Sequence, residues 1–188
     1  MKRLVSIGVL LLVVAVAIPG GASTFLRLTP GELIRGSAAV VQGEVLKVSS
    51  FWEPSGRIIV SEALVQVEER IFGEAPSVVV VRTFGGTVNG FTVEAHGFPK
   101  FQRSERVLLY LEPEKNGASR VTGYQQGHYR IVRDKAGVEI AVPTLDEGAH
   151  VITRDGRPAA AAKAVRLDLL KESIRNEARR AGRALHEN

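Results

Sequence analysis

Four histidines, His96, His128, His150 and His186, are the side chains of this chain best suited to metal binding or proton transfer, and they are scattered singly. Only His186 has an adjacent carboxylate, whereas a tetrahedral zinc site needs three or four ligands. The chain has no cysteine, which excludes a thiolate site, a thiol nucleophile and a disulfide framework. We therefore expect no bound metal and no cofactor.

Acidic residues come close together at three places, Glu68-Glu69, Glu112 with Glu114, and Asp146-Glu147. Each group stands beside charges or turn residues that are typical of solvated surface, while general acid catalysis needs a carboxyl group in an apolar pocket. The serines lack the glycines of a nucleophile elbow. The sequence thus predicts no catalytic residues, and we expect a protein that is not an enzyme.

A glycine-rich run, Gly85-Gly86-Thr87-Val88-Asn89-Gly90, has the composition of a phosphate-binding loop. However, no predicted helix follows it, and no lysine stands at the spacing that such loops require. We interpret the run as a turn in which Gly85 and Gly86 take positive φ or pack tightly where strands cross.

Phe51 and Trp52, the only tryptophan, stand beside Pro54 between two predicted strands. Two interpretations are open: Trp52 caps a barrel, which we favour because large aromatic side chains are usually buried, or it stands exposed and anchors a partner. The candidate binding residues are Trp52, Phe51, Gly85, Gly86 and Phe98.

The N-terminal segment resembles a secretory leader. Lys2 and Arg3 precede an apolar stretch over residues 4–18, and small residues follow up to Ala22. We expect residues 1–22 to be a signal peptide cleaved after Ala22, because the stretch is shorter than the roughly 20 residues of a spanning helix. The mature protein would be periplasmic or extracellular, with no stable membrane insertion.

The formal net charge of +5 is concentrated at the two ends of the chain. Lys2 and Arg3 belong to the predicted leader, the basic residues 163–183 belong to a predicted helix, and residues 23–162 are neutral overall. A basic face for phosphates is therefore not expected on the body of the protein, so we expect no nucleic-acid partner. For the basic helix, docking on the body is favoured over binding to an anionic membrane, because its apolar stripe is narrow.

Hydrophobic periodicity predicts a mainly β domain over residues 23–145, with about seven strands. Residues 107–111 are apolar at both parities and predict a strand that is covered on both faces. Thr29, Pro30 and Glu32 predict a short capped helix that closes one end of the barrel. The other strands are predicted at residues 39–49, 58–71, 78–83, 119–123, 127–132 and 138–142, with a weak strand at 91–94. A surface loop at 146–158 and an amphipathic helix at 159–188 follow.

Several of these segments together resemble a family of uncharacterised exported bacterial proteins, and the first half also resembles the netrin-like module of tissue inhibitors of metalloproteases. The segments that carry the resemblance are Val40-Val41-Gln42-Gly43-Glu44-Val45, Val65-Gln66-Val67-Glu68-Glu69-Arg70-Ile71-Phe72-Gly73, Gly85-Gly86, Gly97-Phe98-Pro99, Glu105-Arg106-Val107-Leu108-Leu109-Tyr110-Leu111 and Gly123-Tyr124-Gln125-Gln126-Gly127. The resemblance implies a small OB-like β-barrel with a short N-terminal helix and a C-terminal helix.

The resemblance fails at the residue on which the inhibitors depend. They chelate the zinc of their target through an N-terminal cysteine, and this chain has none, so that mechanism cannot be carried over. We expect a noncatalytic binding domain whose partner is a protein of the envelope or the extracellular space, with a secreted metalloprotease as one candidate. The alternatives are a hydrolase of an envelope polymer and a purely structural envelope protein.

Overall fold

The structure of the protein is a computed structural model that describes residues 23–145 and 149–186. The described residues are mainly strand, with two α-helices. The helices are α1 (Pro30–Gly36) and α2 (Leu167–His186). The strands are β1 (Ser23–Leu26), β2 (Ala39–Trp52), β3 (Ile59–Gly73), β4 (Val78–Phe84), β5 (Gly86–Val88), β6 (Phe91–Val93), β7 (Arg106–Pro113), β8 (Ser119–Val121), β9 (His128–Arg133), β10 (Glu139–Pro143), β11 (Ala149–Ile152) and β12 (Val165–Arg166).

Five strands close the predicted barrel, in the order β7-β2-β3-β4-β8 with β8 returning to β7. Four of the five neighbouring pairs are antiparallel, and the β4–β8 pair is parallel. This is the five-stranded, partly open arrangement of the OB-fold, so the predicted OB-like barrel is confirmed. The barrel interior is filled mainly by β-branched and aliphatic side chains: Ala39, Val41, Val45, Ala63, Val65, Val79, Val81, Val107, Leu109, Leu111 and Val121.

The remaining strands are added to the outside and to one end of this barrel. β9 pairs with the first half of β7 and carries β10 and then β12 as an extension of the sheet. β1 pairs in parallel with β11, which lies in the segment predicted to be a surface loop. The hairpin of β5 and β6 packs over the inward-facing hydroxyl groups of Ser50 and Ser61, where it covers the end of the interior beside the β2–β3 hairpin.

β7 is buried on both faces, as its sequence predicts. Leu109 points into the barrel interior, while Leu108 and Tyr110 point outward into a second core between the sheet and the two helices. Leu33 and Ile34 of α1 belong to this outer core, so the prediction that α1 closes the end of the barrel is wrong. The reason is that the outward-facing apolar side chains of β2 and β7 need a cover, and α1 and α2 together supply it.

Helix α1 begins as predicted. The Thr29 side chain accepts a hydrogen bond from the backbone N–H of Glu32, and a Glu32 carboxylate oxygen accepts one from the backbone N–H of Thr29 at 2.8 Å. Helix α2 begins at Leu167 and not at residue 159, because Val165 and Arg166 pair with β10 as a strand. Leu167 and Ile174 of its predicted apolar stripe are buried in the outer core.

Strands β2 and β3 form a long, irregular hairpin. The register shifts between Gln42 and Gly43, so a β-bulge or irregularity interrupts the pairing there. A side chain at Gly43 would collide with the backbone carbonyl of Gln66 on β3. Strand β2 continues to Trp52, so the prediction that Phe51 and Trp52 lie in a loop is wrong; both pair with β3, opposite Val60 and Ile59. No helix within the described residues is long and apolar enough to cross a membrane.

Candidate binding cleft

The barrel wall is weakest between β4 and β8. β4 pairs with β3 through seven residues, from Val78 to Phe84, but it meets β8 only at Val81, opposite Ser119. Beyond this bridge the two strands separate, and a cleft of about 210 Å³ opens between them. The cleft is lined by side chains of β3, β4, β7 and β8 and of the segments around them: Glu53, Val60, Arg82, Thr83, Phe84, Phe98, Pro99, Glu112, Glu114, Arg120, Val121, Gly123 and Tyr124.

One wall of the cleft consists of the packed rings of Phe84, Phe98 and Tyr124, which together with Phe25 form the aromatic cluster. Phe98 lies at the centre, with its ring edge-to-face with Phe84 at 5.0 Å and with Tyr124 at 4.9 Å between ring centroids. Phe25 contacts Tyr124 from the other side at 4.9 Å. Phe84 and Tyr124 nevertheless remain 44% and 46% exposed. Large rings that pack together and still face solvent are a common anchor for a binding partner.

Tyr124 is held in the cluster by an unusual backbone. Gly123 and Tyr124 both take left-handed conformations, with φ of 67° and 59°. This region costs a non-glycine residue about 1–2 kcal/mol, so the surrounding contacts must hold Tyr124 in place. The 3₁₀ turn that follows, Tyr124–Gly127, supplies them: Gln125 N–H donates to the Gly97 carbonyl at 3.0 Å, and Gln125 Nε2 donates to the Phe98 carbonyl at 3.0 Å.

The segment that carries Phe98 is fixed from both sides. Gly97 has a φ of 84°, and a side chain there would overlap the ring of Phe25. On the barrel side, Thr83 Oγ1 of β4 donates to the Pro99 carbonyl at 2.9 Å. Gln125 and Thr83 thus clamp residues 97–99 between the 3₁₀ turn and β4, which makes the aromatic cluster a rigid surface.

The opposite wall of the cleft is charged, with more carboxylates than cations. Arg82 donates from Nε and Nη2 to Glu62 Oε1 at 3.1 and 2.6 Å, and Arg120 Nε donates to Glu112 Oε1 at 2.9 Å. The hydrogen bond to Glu62 raises the pKa of Arg82, and the nearby charges of Glu114 and Glu53 act in the same direction. One carboxylate oxygen of Glu114, Oε2, is enclosed and has no hydrogen-bond partner within the described structure.

The residues selected from the sequence are divided between this cleft and its surroundings. Phe98 is the centre of the aromatic cluster. Gly85 and Gly86 take positive φ, 88° and 135°, one of the two expected alternatives, but the interpretation of the whole run as a turn is wrong, because Gly86–Val88 forms strand β5. Both glycines line a separate cavity of about 250 Å³ beside the β5–β6 hairpin. The Gly85 carbonyl oxygen accepts a hydrogen bond from Ser61 Oγ at 2.7 Å, which explains why the backbone at Gly85 lies so close to the Ser61 side chain. Phe51 is half-buried on β2.

The prediction that Trp52 caps the barrel is wrong, because its side chain is 39% exposed. β2 and β3 are the longest strands of the barrel, and Trp52 stands at the far end of β2, beyond the part of the interior that the β5–β6 hairpin covers. Trp52 does not line the cleft, although the next residue, Glu53, does. The second interpretation, that an exposed Trp52 anchors a partner, stays a prediction.

Sequence reasoning did not select Phe84, Tyr124 or Glu114, which carry much of the cleft. Phe84 ends a β-branched run, and Tyr124 stands between Gly123 and two glutamines, so the only local signal was the glycine beside each aromatic residue. The sequence predicts Glu114, one of a carboxylate pair, to lie on solvated surface, but its Oε2 atom is enclosed. The assignment was wrong for that atom because the β4–β8 separation creates a concave surface.

The histidine side chains that the structure describes, His96, His128 and His150, lie in no metal-binding group. Nowhere in the described part of the chain do three histidine or acidic side chains come together in a way that could hold a metal ion. His128 is completely buried on β9, against the ring of Phe101 at 4.9 Å, and burial lowers its pKa to about 3. The side chain of His186 and the pair Asp146-Glu147 lie outside what the structure describes.

Comparison of the chain with protein-family models gives no match, and comparison with curated proteins gives none either.

Proposed function

We propose that this protein is an exported, noncatalytic binding domain that takes up a partner protein in the cleft between β4 and β8. The observation that carries the proposal is the single bridge between these strands, which opens the barrel wall beside a rigid and half-exposed aromatic cluster. An aromatic side chain whose rotamer is already fixed by packing loses little conformational entropy when a partner binds. It therefore contributes buried contact area at a small entropic cost.

The position of the cleft in the barrel also favours binding. OB-type barrels bind ligands on the face of their second and third strands and on the loops after the first and fourth. Here those elements are β3, β4, the β2–β3 turn and the β7–β8 connection, and all of them contribute to the cleft. The leader predicted from the sequence would put the partner in the envelope or the extracellular space, and the resemblance to metalloprotease inhibitors keeps a secreted protease among the candidates.

The test is capture of the partner by the full chain, expressed with its own leader and tagged at the C-terminus, from envelope and secreted fractions of its own cell. We expect one stoichiometric protein to be retained by the wild type and by Leu169→Ala, and lost with Tyr124→Ala. Leu169 is the matched control because its side chain is 51% exposed on α2, away from the cleft.

Two results would contradict the proposal. Equal capture by Tyr124→Ala, with its fold confirmed by circular dichroism, would exclude the cleft, and loss of capture in Trp52→Ala instead would transfer the binding role to the exposed end of the β2–β3 hairpin. Recovery of no protein by the wild type would favour a structural role or the hydrolase alternative.

The hydrolase alternative has one supporting observation, the enclosed carboxylate oxygen of Glu114 beside aromatic rings. A carboxyl group in such a place is what general acid catalysis uses. Release of soluble fragments from purified envelope polymer by the wild type, and not by Glu114→Gln, would establish that alternative.

A further inference from the structure

Among the side chains that the structure describes at the cleft, carboxylates outnumber cations. Glu62 binds Arg82, and Glu112 binds Arg120, so each of these cations already has a carboxylate partner. The carboxylates of Glu53 and Glu114 line the same cleft; both act on the charge of Arg82, but the direct ion pair that the described structure shows for Arg82 is with Glu62. The cleft therefore presents an excess of negative charge next to the aromatic cluster.

Glu114 is held in place by the backbone on either side of it. It follows the last residue of β7, and its N–H donates to the Ala118 carbonyl at 2.9 Å across a turn in which Asn116 and Gly117 are left-handed. Its Oε2 atom is enclosed and has no donor among the described residues. Because Oε2 has no exposed surface, a group from outside reaches this carboxylate only at the part that lines the cleft. An enclosed carboxylate without a donor is costly, and a cation placed beside it recovers more of that cost than a neutral donor does.

The size and the lining of the cleft indicate what kind of group brings this donor. A cleft of about 210 Å³ is smaller than the roughly 300–1,000 Å³ of sites for drug-sized molecules, and fits a single side chain. Phe84, Phe98 and Tyr124 offer an apolar surface for an alkyl stem, and their ring faces attract a cation.

From this charge complementarity we propose that the cleft accepts one lysine or arginine side chain of the partner protein, with its stem on the aromatic cluster and its cationic group on Glu114. The inference rests on the proposed function and gives it a specificity: the partner presents an exposed basic residue on a loop or a terminus. Two ion pairs border this site, Glu62–Arg82 and Glu112–Arg120. They disfavour a partner that would place a second charged side chain beside the lysine or arginine.

The test uses short blocked peptides, acetyl-Ala-Lys-Ala-amide and acetyl-Ala-Arg-Ala-amide, titrated into the isotope-labelled full-length protein and followed by NMR. The norleucine peptide, which keeps the stem and lacks the charge, and the glutamate peptide are the comparisons. We expect the cationic peptides to shift the amide signals of Glu112, Glu114 and Tyr124, and to bind at least about tenfold more tightly than the norleucine peptide, because the bond to Glu114 is charge-assisted.

The variant that isolates the charge is Glu114→Gln, which keeps the shape of the side chain. It should reduce the advantage of the cationic peptides to less than about twofold, while Glu172→Gln, an exposed position on α2, should leave it unchanged. The advantage should also fall as salt is raised, as expected for a partly exposed ion pair.

Failure of this inference can be told apart from failure of the proposed function. If the norleucine peptide binds as tightly as the lysine peptide, or if the glutamate peptide binds best, the cationic specificity is wrong while the cleft remains a binding site. If no peptide shifts the cleft signals but partner capture still depends on Tyr124, the inference is wrong and the function stands. If no peptide binds and Tyr124→Ala does not affect capture, both are wrong.

Discussion

The barrel has two seams that differ in almost every property. At the closed seam, β2 and β7 pair through six residues, from Ala39 opposite Leu111 to Glu44 opposite Arg106, with apolar cores on both faces. At the open seam, β4 and β8 meet at one bridge, and aromatic and charged side chains face solvent on either side of it. The same barrel therefore contains one seam that is fully paired and buried, and a second seam whose aromatic and charged side chains are available for binding.

The difference indicates that the residues that stabilise this fold and the residues proposed to bind a partner lie at different seams of the barrel. Backbone pairing and burial are complete at the closed seam, so a change there should act on the free energy of unfolding. At the open seam the residues are half-exposed, one has a strained backbone and one carboxylate oxygen has no partner. Unfavourable features of this kind are expected to collect at functional sites. A change there should act on binding more than on folding.

The largest expected effect comes from truncation at the closed seam. Leu109→Ala removes a fully buried side chain from the barrel interior, and should lower the free energy of unfolding by about 2–5 kcal/mol. The matched change at the open seam, Phe84→Ala, removes a half-exposed ring and one aromatic contact, and should cost about 1 kcal/mol. Denaturant unfolding of both variants measures the two values.

Capture of the partner gives the complementary measurement. Phe84→Ala should lose most of its capture, whereas Leu109→Ala should keep it under conditions where the variant is folded. If the two changes cost similar amounts of stability, or if both reduce capture equally, the separation between the seams does not hold.

The second effect is a dependence of stability on pH that originates beside the closed seam. His128 lies opposite Leu109 in the β7–β9 pairing, and neither of its ring nitrogens has a hydrogen-bond partner in the described structure. Burial lowers the pKa of His128 to about 3, with a smaller contribution from the charge of Arg130, while the unfolded chain has the ordinary value of 6.5. The unfolded state therefore binds the proton first as the pH falls.

Its contribution should be constant above about pH 6.5, and stability should fall as the pH drops from 6.5 toward 3. At about pH 5 the loss should be about 2 kcal/mol, since each pH unit in this window corresponds to about 1.4 kcal/mol. Glu68 and Glu139, whose pKa values are lowered from 4.5, contribute stability that is lost only at lower pH.

The free energy of unfolding measured at about pH 7.5 and pH 5 separates the contribution of His128 from that of these carboxylates. The His128→Leu protein should lose the slope between the two pH values, and it should also gain stability at neutral pH because two buried and unpartnered nitrogens are removed. The exposed His150→Leu protein should behave as the wild type. A slope that persists in His128→Leu would assign the pH dependence to other groups.

The closed seam is the part of the fold that sequence reasoning predicts well. Val40 and Val41, like Leu108 and Leu109, are apolar neighbours on one strand, which is a local signal for a strand between two cores. The bulge at Gly43 and the capping box at Thr29 are local signals too, because each depends on a few adjacent residues. Burial on both faces was therefore predictable without knowledge of which strands meet.

The open seam was not predictable, because it depends on contacts between distant segments. Phe84, Phe98 and Tyr124 belong to three different parts of the chain, and only the closed barrel brings their rings together. Nor does a sequence reveal that the β2–β3 hairpin extends beyond the residues of β2 that pair with β7 and leaves Trp52 exposed, or that pairing with β10 delays the start of α2 to Leu167. In each case tertiary pairing overrides a local preference.

The smallest effect tests whether backbone strain is a property of the open seam. Tyr124→Gly and Tyr124→Ala remove the same ring, but only glycine takes the φ of 59° at this position without strain. The glycine variant should therefore be more stable than the alanine variant by about 1 kcal/mol, although both lose the partner. At Ala63, buried on β3, the order should be reversed, and Ala63→Gly should cost about 1 kcal/mol.

An alanine variant at position 124 as stable as the glycine variant would mean that the turn relaxes once the ring is gone. The orientation of Tyr124 would then come from its packing with Phe25 and Phe98, and not from a backbone fixed in advance for binding.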